Sequence, residues 1–124
     1  MKKEIIRVDD APRSPLYSQG VKIGHDIYVT GMSGMNTATK TLAPTVQEQT
    51  RQSLLNCEKV LRAAGATFDD VVEVQVLLAR PHDFDGLNEA YAPFFPVDPP
   101  VRSVTRLGPE LPGLLVSIRM HAVR

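Results

Sequence analysis

At 124 residues the chain has room for one domain with a modest hydrophobic core that needs no covalent or metal staples. Its 14 basic and 14 acidic side chains cancel, which argues against a chain-wide footprint for nucleic acid, and an apolar fraction of 43% beside 23% charged residues excludes extensive disorder. The single cysteine, Cys57, rules out an internal disulfide and a cysteine-rich metal site. No stretch approaches the roughly 20 apolar residues of a membrane span, and residues 1–7 lack the apolar run of a signal peptide, so a cytoplasmic protein without membrane contacts is expected.

In chain order, residues 3–8 read as a first strand, followed by a proline-broken loop through Pro15. Val21-Lys22-Ile23 and Ile27-Tyr28-Val29 are short β-prone runs joined by Gly24-His25-Asp26, a hairpin signal. Residues 31–43, rich in Gly, Ser, Asn and Thr, read as a loop. Thr45-Val46-Gln47-Glu48 is a capping box, and Val46, Thr50, Leu54, Cys57, Leu61 and Ala64 then recur on one helical face until Gly65 supplies a left-handed cap. Residues 71–79 alternate, with Val72, Val74, Val76 and Leu78 expected on one face and Glu73, Gln75 and Leu77 on the other. Beyond Arg80-Pro81, Asp83 is expected to cap a second helix with Phe84, Leu87, Tyr91 and Phe94 as its buried stripe, ended by Pro96. Residues 101–105 and 114–123 read as the last strands.

The order β-β-β-α-β-α-β-β predicts an α+β fold, one sheet with both helices packed on one face. The other face mixes Glu73, Gln75 and Leu77, a composition better suited to a subunit interface than to open solvent. Self-association is therefore expected.

Several segments resemble one known family. Ser14-Pro15-Leu16-Tyr17-Ser18-Gln19-Gly20 and Ile27-Tyr28-Val29-Thr30-Gly31 are similar to the N-terminal pattern of the RidA/YjgF proteins. Gln49-Thr50-Arg51-Gln52-Ser53-Leu54-Leu55-Asn56 with Ala63-Ala64-Gly65 resembles the family's first helix, and Asn88-Glu89-Ala90-Tyr91, Phe94-Phe95 and Pro100-Val101-Arg102-Ser103 continue the series in order. The match covers nearly the whole chain, so residues 1–124 are expected to form a single RidA/YjgF-like domain. The resemblance implies a chorismate-mutase-like fold and a homotrimer whose sheets close a central barrel, with sites in the clefts between subunits. It also implies hydrolysis of small carboxylate-bearing imines or enamines, the reactive 2-imino and 2-enamino acids, to 2-keto acids and ammonia, with no metal or organic cofactor.

On the same resemblance, Arg102 binds the substrate carboxylate. A planar guanidinium suits that role, because two parallel hydrogen bonds fix orientation as well as charge. The plainer alternative is a surface ion pair. Tyr17 matches a pocket tyrosine contributed across the interface, and interface packing is its alternative. Asn88 matches a pocket-supporting residue or is simply a polar residue at a helix edge, while Thr30, Gly31 and Val104 match positions lining the pocket. Two residues depart from the family pattern. Arg119 stands where a glutamate usually positions or activates water, and an arginine stays protonated and cannot act as a base. Met32 replaces a glutamine.

If Arg102 and Arg119 shared one cleft they would select a more acidic ligand, such as a dicarboxylate; alternatively Arg119 pairs with Glu110 or a partner's acid. His25 and His82 fit turn or surface roles, whereas His121 shares the strand parity of Arg119. A second functional reading is a non-catalytic trimer that binds small carboxylates. Cleavage of single-stranded RNA is disfavoured by the balanced charge and the lack of interleaved aromatic and basic residues.

Overall fold

The computed structural model describes all residues from 1 to 124. Its elements run β1 (Glu4–Ile6), β2 (Gly20–Ile23), β3 (Asp26–Ser33), β4 (Met35–Asn36), β5 (Thr41–Leu42), α1 (Val46–Ala63), β6 (Val71–Leu78), α2 (Phe84–Tyr91), β7 (Val101–Arg106) and β8 (Val116–Val123). Six strands form one sheet in the order β1-β2-β3-β8-β6-β7, and β4 and β5 form a separate small hairpin. The last strand, β8, lies antiparallel between β3 and β6, so those two are parallel and α1 carries the crossover between them. In the same way α2 connects β6 to its parallel neighbour β7. The α1 helix lies across β3 and β8 and packs against α2, which leaves the other sheet face open. No helix is long and apolar enough to cross a membrane.

The α1 stripe forms as its spacing indicates: Val46, Thr50, Leu54, Cys57, Leu61 and Ala64 are all buried. Thr45 caps the helix by accepting from the Glu48 amide at 3.2 Å. The reciprocal half of the box is not made, because the Glu48 carboxylate accepts from the Thr45 hydroxyl instead of the Thr45 amide. Gly65, at φ 85°, takes the left-handed conformation that ends the helix. Burial pushes the Cys57 thiol far above its ordinary value. A thiol reagent is therefore expected to leave Cys57 untouched in the native protein and to label it fully in denaturant, which absorbance of the released chromophore would follow.

A second stripe on α1 is polar and equally buried. Ser53 Oγ donates to Met32 O at 2.7 Å, and Asn56 Nδ2 donates to Ser33 O and Met35 O at 3.0 and 3.1 Å. Gln49 Nε2 donates to Ala43 O and Gly113 O, both at 2.7 Å, while its Oε1 accepts from Leu115 N at 2.9 Å. These side chains hold residues 31–43 against the helix. The segment is consequently not a plain loop: β3 continues to Ser33 and the β4–β5 hairpin follows.

Two bulges revise the expected alternation. In β3, Ile27 and Val29 point inward, the register shifts between Val29 and Met32, and Met32 then points inward as well. In β6 the shift falls between Val71 and Glu73, so Val71 is buried and Val72 is displaced outward, 44% exposed, contrary to its expected place beside Val74. Inserting one residue re-aims the strand on either side of it.

The second helix also differs from expectation. Asp83 makes no side-chain cap; its Oδ2 accepts from Arg80 Nε at 2.8 Å. The helix stops at Tyr91, before Pro96, because Pro93 has no amide to continue the ladder, and a short 3-10 turn follows. That turn rotates the chain, so Phe95 enters the core and Phe94 is only partly buried, while Phe84 at the helix start is 43% exposed.

Candidate functional site

Arg102 lies on β7 directly beside Val74 of β6, a core residue, so its side chain leaves the sheet on the helix side. There the guanidinium carbon sits 4.8 Å from the Tyr91 ring centroid and 5.9 Å from that of Phe84. Phe84, Asn88 and Tyr91 share one face of α2 at helical spacing, so Asn88 stands between the two aromatic rings. Periodicity assigns both Phe84 and Tyr91 to the core; Tyr91 is buried there and Phe84 is not, and the two rings together form a platform under Arg102. Stacking on ring faces restrains the flat cation without occupying its N–H edge. Arg102 forms no ion pair, so the surface-pair alternative does not apply within the chain.

Two further polar atoms on this α2 face lack partners. Asn88 Oδ1 and the Tyr91 hydroxyl are both buried without a hydrogen bond. Burial pushes the Tyr91 hydroxyl up to about 12 against the opposing pull of Arg102. The phenol is therefore neutral near pH 7 and does not neutralise the guanidinium. Val104 lies two residues further along β7 on the same side, half-buried against the core.

The remaining candidates lie elsewhere. Arg119 is beside Gln75 on β8, on the open face of the sheet and thus on the side opposite Arg102. The two arginines do not share a cleft within one chain. Arg119 does not pair with Glu110 either. Thr30 and Gly31 occupy the β3 bulge opposite Arg119, and Thr30 and Arg119 border a shallow recess of about 210 Å³. The Thr30 amide is already committed to Gln19 O at 2.9 Å. Met32, at the family's glutamine position, is a core residue because of the bulge.

Tyr17 is half exposed in the loop between β1 and β2, next to Leu16, which is 89% exposed. That loop borders a separate concavity of about 490 Å³. Buried Gln19 holds it in place: its Oε1 accepts from Val8 N at 2.8 Å, and its Nε2 donates to the carbonyls of Val8, Ala11 and Pro12 at 3.0–3.2 Å. Nothing in the sequence singled out Gln19 beyond its place in the N-terminal motif. Gln19→Leu is expected to cost about 2 kcal/mol through orphaned backbone groups, and hydrogen exchange should quicken at Val8 before it quickens in α1.

The histidines stay outside these groups. His25 Nδ1 contacts Arg124 O at 2.8 Å in the turn, and His82 lies 3.8 Å from Asp83. His121 stacks on Tyr28 with centroids 4.5 Å apart, and its Nε2 is 2.8 Å from Asp26 Oδ1, toward the sheet end away from Thr30.

In one chain the candidates thus fall into separate groups. Tyr17 leads into β2, near one sheet margin, and Arg102 is on β7, the other margin. Four strand spacings separate β2 from β7, on the order of 19 Å, too far for one small ligand to touch both.

The sequence profile of the family described as Endoribonuclease L-PSP matches residues 9–124. The chain is 35% identical over 124 residues to the rat protein named 2-iminobutanoate/2-iminopropanoate deaminase, covering 98% of this chain and 90% of that one. It is 36% identical over 105 residues to the Arabidopsis thaliana chloroplastic Reactive Intermediate Deaminase A, covering 83% of this chain and only 56% of that longer relative. Among solved structures, RidA from an Antarctic Psychrobacter superposes with a TM-score of 0.90 at 30% identity, covering 98% of this chain and 99% of that one. E. coli TdcF with bound serine gives the same TM-score and identity, with 98% of each chain covered. A match spanning the sheet, both helices and the Arg102 margin at this level leaves one conclusion: the chain belongs to the RidA/YjgF family.

Proposed function

We propose that this protein hydrolyses small 2-imino or 2-enamino acids to 2-keto acids and ammonia in clefts between the subunits of a homotrimer. The observation that carries the reading is Arg102, stacked on Tyr91 and Phe84 with no acid neutralising it. One copy would supply Arg102, Asn88 and Val104, and its neighbour Tyr17, Thr30, Gly31 and Arg119. Joining opposite margins of successive copies is a head-to-tail contact, which closes into a ring when the rotation permits. The exposed Leu16 and Tyr17 on one margin and exposed Val101 on the other suit such burial. The rat and Arabidopsis relatives, whose names specify imine or reactive-intermediate deamination, support the chemistry.

In this scheme Arg102 grips the carboxylate and Asn88 buttresses the pocket wall. Water oxygen adds to the imine carbon while the C=N electron pair moves onto nitrogen. One water proton passes to that nitrogen; an oxygen lone pair then forms the keto C=O as the C–N bond breaks, and the remaining hydroxyl proton leaves through solvent to the departing ammonia. Tyr17 orients the water. Arg119 accepts no proton, so the electrophilicity of the protonated imine drives the addition in place of a general base.

The test generates iminobutyrate in situ with an amino-acid oxidase and compares 2-oxobutyrate release with and without the protein, while light scattering reports the chain number per particle. Release above the uncatalysed rate from a three-chain particle is the expected result; a monomer with full activity would contradict the shared cleft. A non-catalytic carboxylate-binding trimer is the second reading, favoured specifically by Arg119 at the glutamate position. It predicts calorimetric binding of 2-oxobutyrate with no gain in release.

A further inference from the structure

On the helix side of the sheet, β7 carries a second unpaired arginine. Arg106 lies beside Leu78, as Arg102 lies beside Val74, so the two guanidinium groups leave β7 on the same side, four residues apart with Val104 between them. Neither forms an ion pair. Beside Arg106 opens a recess of about 240 Å³ bordered by Leu78, Pro81, Phe84, Val104, Thr105 and Arg106. Phe84 joins the two features, for its ring centroid lies 5.9 Å from the Arg102 guanidinium carbon and the ring also walls the recess. The space is smaller than the roughly 300 Å³ at which drug-sized pockets begin, and it suits the side chain of a small metabolite.

We propose that this recess receives the substrate side chain and that Arg106 reads an acidic group at its far end, which makes imines of acidic amino acids the preferred substrates. The inference rests on the carboxylate role of Arg102. Its geometry differs from a pairing of Arg102 with Arg119, which leave the sheet of one chain on opposite faces and could meet only across the subunit interface. A strand advances about 3.3 Å per residue, so the two β7 arginines start roughly 13 Å apart, a span that two long side chains close on a five-carbon diacid. Leu78, Val104 and Phe84 would cover its methylenes. Arg106 is exposed, so water answers its charge when the side chain is neutral, and the selectivity comes from the charge-assisted contact that an acidic side chain adds.

The experiment measures binding and turnover separately. Calorimetry compares 2-oxoglutarate with 2-oxobutyrate, and the oxidase-coupled assay compares the imines of glutamate and 2-aminobutyrate, for wild type, Arg106→Gln, Arg106→Lys and Arg119→Gln. Wild type is expected to favour the diacid about tenfold or more, the worth of one added charge-assisted contact. Arg106→Gln should erase that ratio, Arg106→Lys should keep part of it, and Arg119→Gln, as a cleft variant, should shift both substrates alike and so keep the ratio. Equal binding of the two oxo acids by wild type, or loss of the ratio in Arg119→Gln with its survival in Arg106→Gln, would overturn the assignment. Selective binding without turnover would leave Arg106 as the selector and reject the deaminase reading instead.

Discussion

Replacing Arg102 with alanine is expected to lower kcat/KM for iminobutyrate by roughly 100-fold, because two charge-assisted hydrogen bonds to a carboxylate are worth about 3 kcal/mol together. The loss should fall on catalysis and not on the fold. Arg102 has no ion pair, and its stacking on Tyr91 and Phe84 is worth about 0.5–1 kcal/mol at an exposed site. Circular dichroism and the melting curve of the variant should therefore resemble those of wild type. Arg102→Lys should fall between them, since an ammonium supplies charge but not a planar fork. Undiminished release by a folded Arg102→Ala protein would remove the carboxylate role altogether.

Gly34→Ala is expected to destabilise the protein by about 3 kcal/mol, at the upper end of ordinary overpacking. A β-carbon built on Gly34 would lie 2.3 Å from the backbone oxygen of Gln49 and 2.6 Å from its Cα. Both atoms belong to the α1 backbone, so no side-chain rotation relieves the clash and the helix must move off the β3–β4 connection. That displacement would also strain the bonds from Ser53 and Asn56 to Met32, Ser33 and Met35. Gly108→Ala is the control: nothing lies within 4 Å of its added carbon, and the midpoint should stay nearly unchanged. Urea midpoints of the two variants make the comparison, and equal midpoints would show that α1 does not depend on this close approach.

What the sequence made legible was whatever depends on local spacing. The apolar stripe of α1, the Gly24 turn at φ 59° and the succession of main-sheet strands and helices along the chain need only neighbouring residues to specify them, and they formed as expected. Gln49, Ser53 and Asn56 were harder, because a polar side chain bound to distant backbone has the same one-letter pattern as one bound to water. Their partners lie between 6 and 66 residues away. That concealed polar stripe is why residues 31–43 read as a loop. The side of the sheet taken by Arg102 and Arg119 was likewise hidden, since alternation assigns faces within a strand and only inter-strand register relates one strand to another. The family resemblance supplied the names of the pocket residues; the margins on which they sit came from the strand order.

The extra residues in β3 and β6 give chain length a meaning there that composition lacks. Removing one residue from the Thr30–Gly31 step would leave Val29 and Met32 two positions apart, the spacing of a regular strand, so both would still face the core and the bulge opposite Arg119 would be lost. Substitution at those positions changes one side chain, whereas deletion straightens the strand, and an insertion elsewhere in it would invert the facing of every residue that follows. The extra residue thus leaves the inward alternation intact and adds one position to the open face.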